Sequence, residues 1–192
     1  MDRQGESMNS GQVRLPELVA PAGTFDKMKT AFRFGADACY LGLKDLSLRA
    51  YAGNFDWDEL EAALQLARDL GKKVYVTLNI LADERDLGKV DVAFKRLKEL
   101  RPDAVVVGDA GVLRMGRLRA PDLPLHLSTQ LSVANSSAAA FWFDQGIRRI
   151  VLARELSIVQ IGQMVAAGGD FELFAHGAVC IAHSGRCFLS LY

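Results

Sequence analysis

The densest chemistry in the sequence runs from His176 to Ser190, where Cys180 and Cys187 are separated by six residues and His176 and His183 stand close by. Four readings compete for this cysteine pair. The N-terminus, MDRQGESMNSGQ, has no apolar stretch and so no secretory signal, which makes the cytoplasm the expected compartment. Thiols there stay reduced, which argues against a disulfide. Zinc sites favour two to four residues between cysteines and need about four ligands, so this spacing matches poorly. A nucleophilic cysteine with a histidine base is chemically reasonable, but nothing in the spacing fixes its geometry. An iron–sulfur cluster takes thiolates, normally four, and two suitable cysteines are present. Spacing alone leaves these readings open. Cys39 sits in the apolar run Ala38–Leu43 and is expected to be buried and inert.

A set of polar residues shares a second feature: each directly follows a short apolar run. The runs are Glu17–Ala20, Ala38–Leu43, Lys73–Leu78, Ala104–Gly108, Leu125–Ser128, Arg149–Ala153 and Phe171–Ala175. Apolar residues at successive positions suit strands of a parallel sheet covered on both faces. Helix-period patterns lie between the runs, for example Leu60, Ala63, Leu64 and Ala67. Thr24 is a candidate N-cap, and Asp56 with Glu59 and Ser157 with Gln160 form candidate capping boxes. Gly35, Gly71, Gly146 and Gly168 mark helix ends. Seven strands and six helices alternate, which gives either a doubly wound sheet or a (β/α)8 barrel. The first turn, Ala20-Pro21-Ala22-Gly23, lacks a dinucleotide fingerprint. The near-even unit length favours a TIM-barrel-like α/β fold with its closing strand missing.

In such a barrel, chemistry gathers at the C-terminal ends of the strands. That rule selects Lys44, Arg49, Asn79, Ser128, Gln130, Asn135, Arg154 and Glu155 as substrate-binding candidates, and Asp109 and His176 as proton-transfer candidates. The competing reading is loop residues and helix caps, above all for Asn135 before the helix Ser136–Phe143. Arg49 and Arg154 suit carboxylate or phosphate anchoring, and Gln130 and Asn135 suit a base edge. Glu17, at the start of its strand, reads as structural, and His126 as a satisfied interior residue. His183 could be exposed. The segment from Arg101 to Arg154 carries net +3, read as a solvated helix face in preference to a phosphate-backbone contact.

The stretches Phe174–Cys180 and Ser184–Ser190 resemble the signature of peptidase family U32, the collagenase-like peptidases of unassigned catalytic mechanism. Glu17–Gly23, Gly35–Ala38, Tyr40–Gly42, Val76–Asn79, His126–Gln130 and Leu152–Ser157 continue the resemblance in order across nearly all of Leu15–Tyr192. Members of the family include peptidase-named proteins and proteins of oxygen-independent hydroxylation acting on tRNA uridine, ribosomal RNA cytidine or ubiquinone precursors. The resemblance implies a barrel-like fold and a 4Fe-4S cluster held by four cysteines, with Cys180 and Cys187 matching the first two ligands. The stretch Lys44–Asn54, with Ser47-Leu48-Arg49, resembles the tRNA-uridine branch, which implies RNA as partner and prephenate as co-substrate. The family continues beyond the segment matched by Leu189–Tyr192 into the remaining cysteines and a final strand. The expectation is therefore a fragment or truncated form, needing a missing C-terminal portion or a partner chain.

Length and charge set the outer bounds. The 192 residues carry 23 Lys+Arg against 23 Asp+Glu, half are hydrophobic, and no apolar run approaches a membrane span of about 20 residues. Balanced charge disfavours tight nonspecific binding to nucleic acid or anionic membrane. The expected domain organisation is a polar leader over residues 1–13 and an incomplete barrel over residues 14–192. Its unpaired edge invites self-association. Hydroxylation of a tRNA base is the leading functional expectation. A peptidase, hydroxylation of a ubiquinone precursor or ribosomal RNA, and an inactive barrel fragment are the alternatives. No G-x-S-x-G, H-E-x-x-H or assignable triad supports the peptidase.

Overall fold

The computed structural model describes residues 15–44, 46–47, 53–177 and 180–185. Arg49 and Cys187 lie outside the described residues, as does the expected leader. The elements alternate strictly: β1 (Val19–Pro21), α1 (Phe25–Arg33), β2 (Ala38–Gly42), α2 (Trp57–Asp69), β3 (Lys73–Leu78), α3 (Leu87–Leu100), β4 (Ala104–Val107), α4 (Ala110–Arg119), β5 (Leu125–Leu127), α5 (Ser136–Asp144), β6 (Arg149–Val151), α6 (Ile158–Ala166) and β7 (Phe171–Glu172). All seven described strands pair in parallel and in chain order. This is the expected (β/α)-barrel topology, curled but lacking a strand to close β7 onto β1 among the described residues.

Alternation along each strand sorts the side chains onto two faces. Cys39, Leu41, Val74, Val76, Leu78, Val105, Val107, Leu125, Leu127 and Ile150 pack outward under the helices, against Met28, Leu60, Phe94 and Leu97 among others. The inner face carries Ala38, Tyr75, Ala104 and Val106, with Val19 and Tyr40 beside them. Register sets the small Ala104 opposite the large Tyr75, which lets the ring fill the curled interior. Helices α3 and α4 approach so closely that a Cβ on Gly116 would lie 2.7 Å from the Phe94 ring.

The expected punctuation holds. Thr24, Asp56 and Ser157 cap α1, α2 and α6, with full capping boxes at the latter two. Gly35, Gly71, Gly146 and Gly168 all take positive φ. Arg101 does the same job at the end of α3 without being glycine, at φ 52°. The strands are shorter than the apolar runs: Gly108, Ser128 and Ala153 fall just past their strands, and β7 stops at Glu172 rather than Ala175. A 3-10 turn over Thr129–Leu131, not expected from the sequence, follows β5.

Candidate functional site

The strand-end rule gathers some of its candidates and disperses others. Asn79, Ser128 and Gln130 converge at the ends of β3 and β5. Ser128 Oγ donates to Gln130 Oε1 at 3.1 Å, and its oxygen also receives the Gln130 N–H at 3.4 Å. Gly108, after β4, leaves room for this cluster: a Cβ there would lie 2.6 Å from Gln130 Oε1 and 3.2 Å from the Asn79 carbonyl. Two residues missed by the rule adjoin on the same rim, with Ser47 Oγ 3.3 Å from Thr77 Oγ1. The threonine lies inside β3, so strand-end position alone could not reveal it.

Three candidates are held in helix starts. Asp109 accepts the Val112 N–H at 3.0 Å as N-cap of α4, and Asn135 accepts the Ala138 N–H at 2.9 Å as N-cap of α5. The cap raised as the alternative for Asn135 is thus present, and Asp109 shares it. Lys44 pairs with Asp56 at 3.0 Å and Glu59 at 3.5 Å at the start of α2. Its hydrogen bond to Asp56 holds the ammonium protonated beyond the usual lysine range. His176 is exposed after β7.

Arg154 and Glu155, just past β6, turn toward the segment Cys180–Gly185. Arg154 Nη1 donates to the Cys180 carbonyl at 2.8 Å, Nη2 to the Ala182 carbonyl at 2.6 Å, and Nε to Ser184 Oγ at 3.3 Å. The guanidinium, expected as an anion anchor, faces carbonyls of its own chain. Glu155 Oε1 accepts the Ser184 N–H at 2.8 Å. Burial pushes its carboxyl up, but the Ser184 and Glu155 backbone hydrogen bonds, the Ser184 hydroxyl and the nearby His183 together outweigh this and leave it below the usual range. Ser132 Oγ donates to the Ser184 carbonyl, and Ser184 itself is buried. Gly185, at φ +73°, packs so tightly that a Cβ would come within 2.0 Å of the Gln130 carbonyl. That contact joins the cysteine segment to the Asn79–Ser128–Gln130 cluster. His183 is exposed, as expected, its Nδ1 3.2 Å from the Ser184 carbonyl and 3.9 Å from Glu155.

The opposite end of the interior holds an ion network the sequence did not reveal. Glu17 Oε1 accepts from Arg149 Nη1 at 2.7 Å and from the Tyr75 hydroxyl at 2.5 Å, and Oε2 pairs with Lys73 at 2.5 Å. Burial would raise the Glu17 carboxyl, but these hydrogen bonds pull it down to about 2. Arg149 also reaches Asp170 at 3.1 Å, so one member of the basic segment points inward rather than onto a solvated helix face. Arg114, Arg117 and Arg119 fit that expectation, exposed on α4. Glu17 is structural, as expected. His126 is interior but not satisfied: its Nδ1 is buried without a hydrogen-bond partner. Burial, reinforced by Arg149, pushes its imidazole down to about 4, so it is neutral at pH 7.

The donor set for a cluster is incomplete among the described residues. Cys180 is an exposed free thiol. Cys39 is buried on the helix-facing side of β2, its thiol pushed up to about 11 by burial. No group of three or more His, Cys, Asp and Glu is placed to hold a metal ion among the described residues. Among the described residues the one exposed thiol, Cys180, is too few to complete a four-thiolate cluster. Among the described residues no helix is long and apolar enough to cross a membrane.

Known proteins extend this picture. The chain is 40% identical over 178 residues to tRNA hydroxylation protein P1 of Bacillus subtilis, covering 92% of this chain and 42% of that protein. It is 40% identical over 179 residues to tRNA hydroxylation protein P of Escherichia coli, covering 92% and 40%. The chain thus spans about two-fifths of the length of these relatives. The solved structure of the U32 peptidase Mk0906 superimposes with a TM-score of 0.69 at 15% identity, over 90% of this chain and 71% of that one, which supports the fold. The sequence model of peptidase family U32 matches residues 23–192. With the motifs in order and the barrel topology in place, the chain belongs to peptidase family U32.

Proposed function

We propose that this chain is the barrel portion of a protein for oxygen-independent hydroxylation of uridine in tRNA, working in the cytoplasm. The observation that carries the reading is 40% identity, over more than nine-tenths of the chain, to two proteins named for tRNA hydroxylation. The geometry is compatible with it. Ser128 and Gln130, beside the Asn79 carbonyl, offer hydroxyl and amide groups at one rim, the chemistry that reads a base edge, and the cysteine segment is bound to the same rim. Hydroxylation needs a redox partner, which a protein of ordinary side chains does not supply. In this proposal Cys180 and Cys187 are two thiolate ligands of a 4Fe-4S cluster whose other ligands lie outside the described residues, and prephenate is the co-substrate. His176 is the exposed proton-transfer candidate; Asp109 would have to leave its cap to serve.

The family's peptidase name does not outweigh this. A cysteine peptidase needs its thiol joined to a base that a third group orients. Among the described residues Cys180 is free, and the His183 Nδ1 faces the Ser184 carbonyl and Glu155. The test is complementation. The complete gene encoding this chain is expressed in an Escherichia coli strain lacking its tRNA hydroxylation protein P, grown without oxygen. Mass spectrometry of tRNA nucleosides then reports whether hydroxylated uridine returns.

A further inference from the structure

Arg154 grips the cysteine segment at alternate carbonyls, those of Cys180 and Ala182, with the two arms of one planar fork. Its Nε and its backbone N–H both donate to Ser184 Oγ, at 3.3 Å and 3.2 Å. Glu155 takes the Ser184 N–H from the other side. Thr129 Oγ1, itself donating to the Leu152 carbonyl at 3.0 Å, lies 3.4 Å from the same serine hydroxyl. Ser184 is 1% exposed, whereas Cys180, four residues earlier, is open to solvent. The segment is thus pegged at one end and gripped along its backbone, with the thiol left outward. Every one of these bonds runs to main chain or to Ser184, and the guanidinium contacts make a rigid planar match that an ammonium cannot copy.

We propose that Arg154 and Glu155 are positioning residues that clamp the segment Cys180–Gly185 onto the rim of the barrel and so fix the backbone carrying Cys180 beside the Asn79–Ser128–Gln130 cluster. This rests on the reading of that rim as the reaction site, but the clamp is measurable without any reaction.

The experiment uses the complete protein, purified without oxygen, as wild type and as Arg154→Ala, Arg154→Lys, Glu155→Ala and Glu155→Gln. Hydrogen exchange is followed in peptides covering residues 180–185, with β3 and β4 peptides as internal references. Loss of one charge-assisted hydrogen bond is expected to speed exchange of the segment by about tenfold or more. Arg154→Ala, Arg154→Lys and Glu155→Ala should show this, with the β3 and β4 peptides unchanged. Glu155→Gln should stay near wild type, because its amide oxygen still accepts from Ser184. Iron content per chain is measured alongside, and in wild-type protein that carries iron it should fall in the three loosened variants. Exchange of the segment unchanged in Arg154→Ala and Glu155→Ala overturns the clamp. So does acceleration spread equally over the β3 and β4 peptides, or failure of glutamine to rescue. Wild-type protein without iron would count against the proposed function alone, since the exchange pattern still decides the clamp.

Discussion

Replacing Glu17 by glutamine removes a carboxylate on which Arg149, Lys73 and Tyr75 converge inside the barrel. Glu17 lies just before β1, yet its partners sit on β3 and β6, so this ion network spans the curl of the sheet. The carboxyl is held at about 2 against its ordinary 4.5. At about 1.36 kcal/mol per pKa unit that fall is worth at most about 3.4 kcal/mol. Glu17 and Lys73 remain partly open to water, and screening reduces the figure to about 1–2 kcal/mol. Because the folded value is depressed, the contribution is complete above about pH 4.5 and drains away as pH falls toward about 2. Urea unfolding of wild type and Glu17→Gln, at pH 7 and again at pH 3, reads this directly. With a slope of about 2 kcal/mol per molar urea, the midpoint at pH 7 should drop by about 0.5–1 M. At pH 3 at least about half of that gap should be gone. An equal gap at both pH values would refute the reasoning, since a lost contact that ignores the charge state is not this ion network.

Truncating the capping aspartate in Asp56→Ala strips α2 of its N-terminal box and Lys44 of its nearer partner. A loss of about 1 kcal/mol is expected, read as a thermal midpoint lower by about 2–4 °C. Phe94→Ala empties a fully buried site between α3 and the Gly116 notch of α4, and should cost about 3–5 kcal/mol in urea unfolding. Gly185→Ala places a Cβ against the Gln130 carbonyl at positive φ. It should raise proteolytic nicking of the 180–185 segment, while far-UV circular dichroism stays that of wild type.

Most of the fold is legible in the sequence because its cues are local. Continuous apolar runs such as Lys73–Leu78, the capping boxes at Asp56 and Ser157, and the glycines at helix ends each specify their element within a few residues. What the sequence hides is non-local. Arg149 is the first residue of an apolar run, and only the curl of the sheet brings it to Glu17, 132 positions away. Strand-end position identifies Arg154 and Glu155 as residues of interest but says nothing of what they face. A guanidinium suits an anion and a pair of carbonyls equally well, and only the folded chain shows Cys180 and Ala182 in its grip. Asp109 and Asn135 show the same ambiguity from the other side, since a strand end is also the start of the next helix and favours the same short polar residues.

The central claim, that this barrel belongs to a protein hydroxylating uridine in tRNA without oxygen, is met most directly by the nucleosides themselves. In anoxic cells lacking tRNA hydroxylation protein P and carrying the complete gene, mass spectrometry of digested tRNA should show hydroxylated uridine restored, and restored no longer when Cys180 is serine. Uridine that stays unmodified while the protein accumulates, or hydroxylation that appears instead in ribosomal RNA, would contradict it.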